Sequence, residues 1–331
     1  MRTLMVGFLA LLLLGGAQDA QAQKMVIGQG FLNTNGLPLW IAQDQGFFKK
    51  HGLDVELTLI RGGGRVMAGL ISGEMRFVSA ALSQVVGPVA QGADPVLILA
   101  FVKKLPYLFM AASHIRSPDD LKGKKIGVAT FGGAAYVASH IVLRQFGLEA
   151  KRDQITLIQI GTEPERVMAL IGGSIDAAML ASEMASRVPT PPFRTMVDLR
   201  TSTLPWLHTG LITTRSFMKA NPRITEASVR ALLESLAFIF DPKNKEVVKQ
   251  SIAKQLKLDK AGAIEDAYKD GLDHLATNPT PSPEAGATLL KLMAELEINK
   301  EASRLKPQDL MDSSIVEKLE REGVLENLRR R

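Results

Sequence analysis

From residue 25 onward the chain alternates two kinds of hydrophobic spacing. Short apolar and β-branched runs at Met25–Gly30, Asp54–Ile60 and Met75–Ser79 read as strands. Between them, Pro38–Lys50 and Gly64–Ser72 carry apolar residues three and four apart and read as helices. This alternation predicts βαβ units and a parallel sheet, an α/β fold. The loops that leave the strands, Phe31–Leu37 and Arg61–Gly64, would then line a crevice, because ligands of open α/β sheets sit beyond the carboxyl ends of the strands.

The rhythm continues with a helix over Leu82–Ala90, a buried strand over Val96–Phe101 and another over Tyr107–Ala112. Ser117, Pro118 and Asp120 mark a helix start just beyond, so a first crossing into a second lobe is expected at Met110–His114. The second lobe repeats the pattern. Strands are expected at Lys125–Ala129, Ile155–Ile160 and Ala177–Leu180, with helices at Gly133–Phe146 and Pro164–Ile171. Phe193–Val197 reads as an edge strand and Leu207–Thr213 as the return crossing. After Ser216 the spacing is helical throughout, at Ile224–Phe240, Lys245–Leu256, Lys260–His274 and Ser282–Glu295.

Several phrases stand out in order: LPLWIAQDQGFFKKHGLDVEL, a glycine loop and LISGEMRF, then SPDDLKGKKIGV (Ser117–Val128), RVMALIGGSIDAAML (Arg166–Leu180) and PQDLMDSSIVEKL (Pro307–Leu319). Together they resemble the periplasmic solute-binding proteins of ABC importers. The branch is that of sulfonate, taurine and nitrate binders and the NMT1/THI5-like proteins. The resemblance implies a two-lobe, type II-like fold with two hinge crossings. Residues 23–112 and 210–331 would form one lobe and 113–209 the other. It implies a small organic anion as ligand, lobe closure, and an ABC permease of the inner membrane as partner.

Composition narrows the alternatives. The 331 residues, 46% hydrophobic and 22% charged, provide core for two domains. The net charge of +6 is dispersed, aromatic residues are 5%, and the one basic run is Arg329–Arg331, which argues against nucleic acid as a partner. Met1–Ala22 reads as a secretory signal, with Arg2, the apolar run Leu4–Leu14 and Ala20-Gln21-Ala22 before a cleavage at Gln23. The chain contains no cysteine, which excludes disulfides, thiolate chemistry and a lipidated cysteine anchor. A periplasmic monomer without cofactor or metal is expected.

The candidate ligand residues lie on the strand-exit loops. Thr130, Phe131, Gly132, Gly133, Ala134 and Tyr136 join a strand to a helix, and backbone N–H groups at that helix start suit an anion. The bland alternative is a tight connection. In the resembled family a Ser or Thr usually stands just inside this helix, where Ala134 and Ala135 stand here. Asn33, Thr34 and Asn35 can bond ligand or merely cap the next helix. Gly63 and Gly64 allow close approach or a flexible joint, and Ser83 and Gln84 occupy a matching position. Glu183 reads either as a crevice acid or as an exposed helix-start charge. Trp206 can stack on ligand near the hinge or pack in the core, where Trp40 is also expected.

Enzyme motifs fail. Gly28-Gln29-Gly30 begins a dinucleotide fingerprint, but Asn33 replaces its third glycine. The five histidines, at 51, 114, 140, 208 and 274, show no metal spacing. Two alternatives remain open. One is a pyrimidine-precursor synthase of the THI5-like kind; those proteins carry a cysteine-rich motif absent here. The other is a periplasmic sensor domain.

Overall fold

The computed structural model of the protein describes residues 24–60 and 62–326. The expected signal and its cleavage site, Arg61 and the basic C-terminal run lie outside the described residues.

Two five-stranded sheets organise the chain. Strands β1 (Lys24–Gln29), β2 (Asp54–Leu59), β3 (Phe77–Ala81) and β4 (Pro95–Val102) build the first. The second holds β5 (Leu108–Ala111), β6 (Lys125–Val128), β7 (Thr156–Gln159), β8 (Ala177–Leu180) and β9 (Arg194–Asp198). β10 (Thr209–Thr214) returns to the first sheet and runs antiparallel between β3 and β4. The orders are β2-β1-β3-β10-β4 and β7-β6-β8-β5-β9. In the first, β1 is parallel to β2 and β3; in the second, β6 is parallel to β7 and β8. The parallel pairs need crossovers, and helices supply them.

In the first lobe these are α1 (Leu37–Asp44), α2 (Phe47–Lys50), α3 (Gly63–Ile71) and α4 (Ser83–Ala90). The second has α5 (Ala134–Gln145), α6 (Glu163–Ile171) and the short α7 (Ser182–Ala185). After β10 come α8 (Arg215–Ala220), α9 (Pro222–Phe240), α10 (Lys245–Leu256), α11 (Ala261–His274) and α12 (Pro283–Glu295). The helix expected over Pro38–Lys50 is two. Gly46 takes φ of 72°, a left-handed conformation that ends α1 and restarts the chain as α2.

The hinge positions differ from the expected ones. YLFMAA, expected in the first lobe, forms β5, which pairs with β8 and β9 in the second sheet. The chain therefore crosses between Val102 and Leu108, not at Met110–His114. A wholly apolar strand fits either sheet, so composition could not place it. The return runs between Asp198 and Thr209, earlier than Leu207–Thr213, since all of β10 lies in the first sheet.

Apolar packing explains the layers. Ile27, Trp40, Phe77, Ile98, Phe101, Val229, Leu232 and Leu236 are buried together between the first sheet and helices α1 and α9. β4 is buried at all eight positions although it is an edge strand. Its free backbone is covered by the C-terminal chain: Ala100 N–H donates to Pro279 O, Ala276 N–H to Phe101 O and Asp312 N–H to Leu97 O. A second apolar cluster runs from α4 and α12 of the first lobe to α5 of the second, through Val85, Val86, Leu289, Val137 and Ile141.

Candidate functional site

The carboxyl ends of β1 and β3 face those of β6, β7 and β8, and their loops meet between the lobes. A cavity of about 30 Å³ remains there. It is lined from the first lobe by Phe31, Leu32 and Gln84, from the first crossing by Tyr107, and from the second lobe by Thr130, Gly133–Ala135, Gly161–Glu163 and Arg166. That space holds a water-sized molecule, so the lobes are shut on each other and must part to admit an organic solute.

Direct hydrogen bonds hold them shut. Asn33 Nδ2 donates to Glu163 Oε1 at 2.6 Å, and Gln84 Nε2 to Thr130 Oγ1 at 3.2 Å. Glu183 Oε1 accepts from Thr34 N–H at 2.9 Å and from Thr34 Oγ1 at 3.1 Å. Asn33 also caps the turn that follows it, its Oδ1 accepting from Asn35 N–H at 3.1 Å. Capping and reaching across are thus combined in one side chain.

Donors converge on the cavity from the second lobe. α5 starts at Ala134, with Gly133 before it at φ −75° and Gly132 at φ +70°. The first N–H groups of a helix have no intrahelical acceptor, and those of Ala134 and Ala135 belong to residues that line the cavity. A Cβ on Gly133 would stand 2.7 Å from Thr130 Oγ1 and 3.1 Å from Thr130 O, so glycine is what lets Thr130 and Gln84 meet. Opposite, Arg166 is 2% exposed. Its Nη1 donates to Gly161 O at 2.5 Å and its Nε to Met179 O at 3.3 Å. The nearest carboxylate oxygen, Glu163 Oε1, is 3.8 Å from Nη2 and already accepts from Asn33; Glu163 Oε2 accepts from Ala181 N–H at 2.7 Å. Burial first, then the Glu163 charge, holds the Tyr107 phenol above its ordinary range, so it remains a donor.

Glu183 corrects the reading as an exposed helix-start charge: it is buried, with Oε2 lacking a partner. Burial, then the charges of Glu163 and Asp270, push its carboxyl up to about 8. The same polar floor holds His274, whose Nε2 is 3.3 Å from Thr34 Oγ1. It also holds His208, which burial and then His274 push down to about 3, a neutral ring packed against Phe31 and Tyr107.

The expected residues divide accordingly. Thr130, Gly133, Ala134 and Gln84 line the cavity; Asn33, Thr34 and Glu183 clasp the lobes beside it. Gly132 supplies the turn before Gly133. Asn35 and Ser83 are buried nearby with Nδ2 and Oγ unpartnered. Phe131 is 63% exposed and, with Gly64, borders an outer groove of about 440 Å³ at the crevice mouth. Gly63 begins α3. Tyr136 turns away, meeting His140 edge-on with ring centroids 4.7 Å apart and lining a separate groove of about 840 Å³ beside the end of α12. Trp206 is 4% exposed and belongs to the apolar cluster shared by the two lobes, off the cavity. Phe31 lies on the loop Phe31–Leu37 that was expected to line the crevice, whereas sequence reading missed Tyr107, Glu163 and Arg166. For the last two a signal existed: Thr162 and Glu165 form a capping box directly after β7, at a strand exit like that of Thr130.

Comparison with known proteins decides the family. Residues 33–245 match the family model described as NMT1/THI5 like, well over half of the chain. The chain belongs to the NMT1/THI5-like family. A curated relative, YtlA of Bacillus subtilis, is named for an inferred binding role and is 23% identical over 270 residues, 76% of this chain and 80% of YtlA. A solved structure from Bordetella bronchiseptica RB50 superposes with a TM-score of 0.81 at 22% identity, covering 91% of this chain and 98% of that one. The alkanesulfonate-binding protein SsuA of Xanthomonas axonopodis pv. citri, solved with MOPS bound, gives 0.71 at 16% identity over 88% and 98%. The two sheets of this NMT1/THI5-like chain therefore form the two-lobe periplasmic binding-protein fold.

Proposed function

We propose that the protein is an exported solute-binding protein that captures a small organic anion between its lobes and delivers it, closed, to an ABC permease. One observation carries the anion: the Arg166 guanidinium, buried and paired only loosely with Glu163 at 3.8 Å, faces the same cavity as the N-terminal N–H groups of α5. Each charge-assisted bond contributes about 1.5–3 kcal/mol, and the helix end roughly 0.3–1 kcal/mol more. Phe31, Leu32 and the alanines around that cavity favour a ligand with an apolar body. Closure adds the contacts of the second lobe and expels water.

Thermal shift against methanesulfonate, benzoate and nitrate tests the reading. A cognate anion at a hundredfold its dissociation constant should stabilise the fold by about 2.7 kcal/mol and be recovered unchanged. Recovery of a converted product would favour the enzyme alternative; stabilisation by amines in place of anions would refute the anion site. Intact mass of the exported chain checks the expected start at Gln23.

A further inference from the structure

The clasp between the lobes is built on a carboxyl group with no cation in reach. Glu183 sits in α7 of the second lobe and is 5% exposed. Its Oε1 takes both donors of Thr34 across the crevice, and its Oε2 has no partner. The charged groups packed against it are acids or bases already committed. From α6 come Glu163 and Arg166, the latter tied to the carbonyls of Gly161 and Met179. α11 contributes Asp270 and His274, with His274 Nδ1 3.8 Å from Asp270 Oδ2. From the return crossing comes Arg200, whose guanidinium is spent on Asp198, Asp270 and Ser182. β5 presents Leu108, Phe109 and Met110.

We propose that the lobes close with uptake of a proton by Glu183, so that the closed form is favoured in acid and loosened by alkali. In the parted lobes the carboxyl is hydrated and returns toward 4.5; in the clasp it stands at about 8. The group whose affinity for a proton is raised on closing binds it on closing, so closure strengthens as pH falls through that interval and is lost as pH rises through about 8. His274 acts in the opposite sense, because burial lowers it below 6.5 and protonation would oppose closure only in stronger acid. Between pH 6.5 and 8 Glu183 therefore acts alone of the two, and the closed-to-open ratio should fall by about 15-fold. The proposal rests on the parting of the lobes and not on which solute they hold.

The absence of cysteine makes the test direct. Ile71→Cys on α3 and Met168→Cys on α6 lie on opposite lobes, 46% and 68% exposed, and can be spin-labelled specifically. Pulsed electron-resonance distances on the ligand-free full chain should shift toward the longer, open population as pH rises from 6.5 to 8. Glu183→Gln, which keeps an acceptor for Thr34 and cannot lose a proton, should hold the short distance across the same range. A wild-type distance distribution that stays level, or a Glu183→Gln variant that opens with the same pH dependence, overturns the proposal. Failure of every trial anion in the thermal-shift experiment would leave this result unaffected, so the two ideas fail separately.

Discussion

Replacing Arg166 by methionine removes the one cation that is 2% exposed on the crevice wall while keeping most of its volume. Two consequences can be added up from the geometry. The carbonyls of Gly161 and Met179 lose their donor, at about 1–3 kcal/mol for a buried group left unsatisfied. Glu163, 7% exposed, loses a cation at 3.8 Å, an attraction of about 4 kcal/mol at an effective dielectric of 20, partly offset by the desolvation of the cation. The net cost should be about 3–5 kcal/mol, the range for breaking a buried pair from one side. A double-mutant cycle separates the electrostatic part. In Glu163→Gln the charge is gone but Asn33 keeps an acceptor, so Arg166→Met should cost at least about 1 kcal/mol less in that background. Urea unfolding of the four proteins gives the cycle. A coupling energy below about 0.5 kcal/mol would show that Arg166 is held by its backbone bonds alone and that its charge is not compensated by Glu163.

Two further outcomes follow from glycines. Gly133→Asp should abolish binding of a cognate anion by calorimetry, while Gly133→Ala should weaken it by about tenfold, since its Cβ crowds Thr130 and loosens the bond to Gln84; equal, undiminished affinity in both would move the anion elsewhere. Gly210→Ala should destabilise the fold by about 3 kcal/mol, because its Cβ would stand 2.1 Å from Leu99 O in the middle of a sheet; a thermal midpoint within a degree or two of wild type would refute this.

Periodicity alone carried the architecture far. Ala177–Leu180 and Lys245–Leu256 were readable to the residue, because a short buried run and a long amphipathic one each fit a single template. The misses have physical causes. Gly46 broke a helix through its own backbone angle, which a period of 3.6 does not encode. YLFMAA is apolar on both faces and suits any buried strand, so only pairing with β8 could assign it. In the site, loop logic found Thr130, Gly133 and Gln84, since those sit where strands end. It did not find Tyr107 or Arg166, whose roles come from the way the crossing and α6 are folded against the crevice. Glu183 was legible as a helix-start acid but not as a buried one, because its burial is made by Thr34, 149 positions away.

The place of β10 in the first sheet sets an order of assembly. β3 and β4 are neighbours in sequence, yet each pairs with β10 and neither with the other. During synthesis a slot therefore stands open between them for about a hundred residues, and the first lobe cannot complete its hydrogen bonding until Thr209–Thr214 arrives. The second sheet has all five of its strands by Asp198. Non-local closure of this kind is slow, because the loop must be ordered before the pairing rewards it. The inserted lobe is thus the unit able to form early, and the outer lobe is finished around it. A chain ending at residue 205 should show amide-exchange protection in β5–β9 and little in β1–β4; protection spread evenly over both sheets would contradict this order.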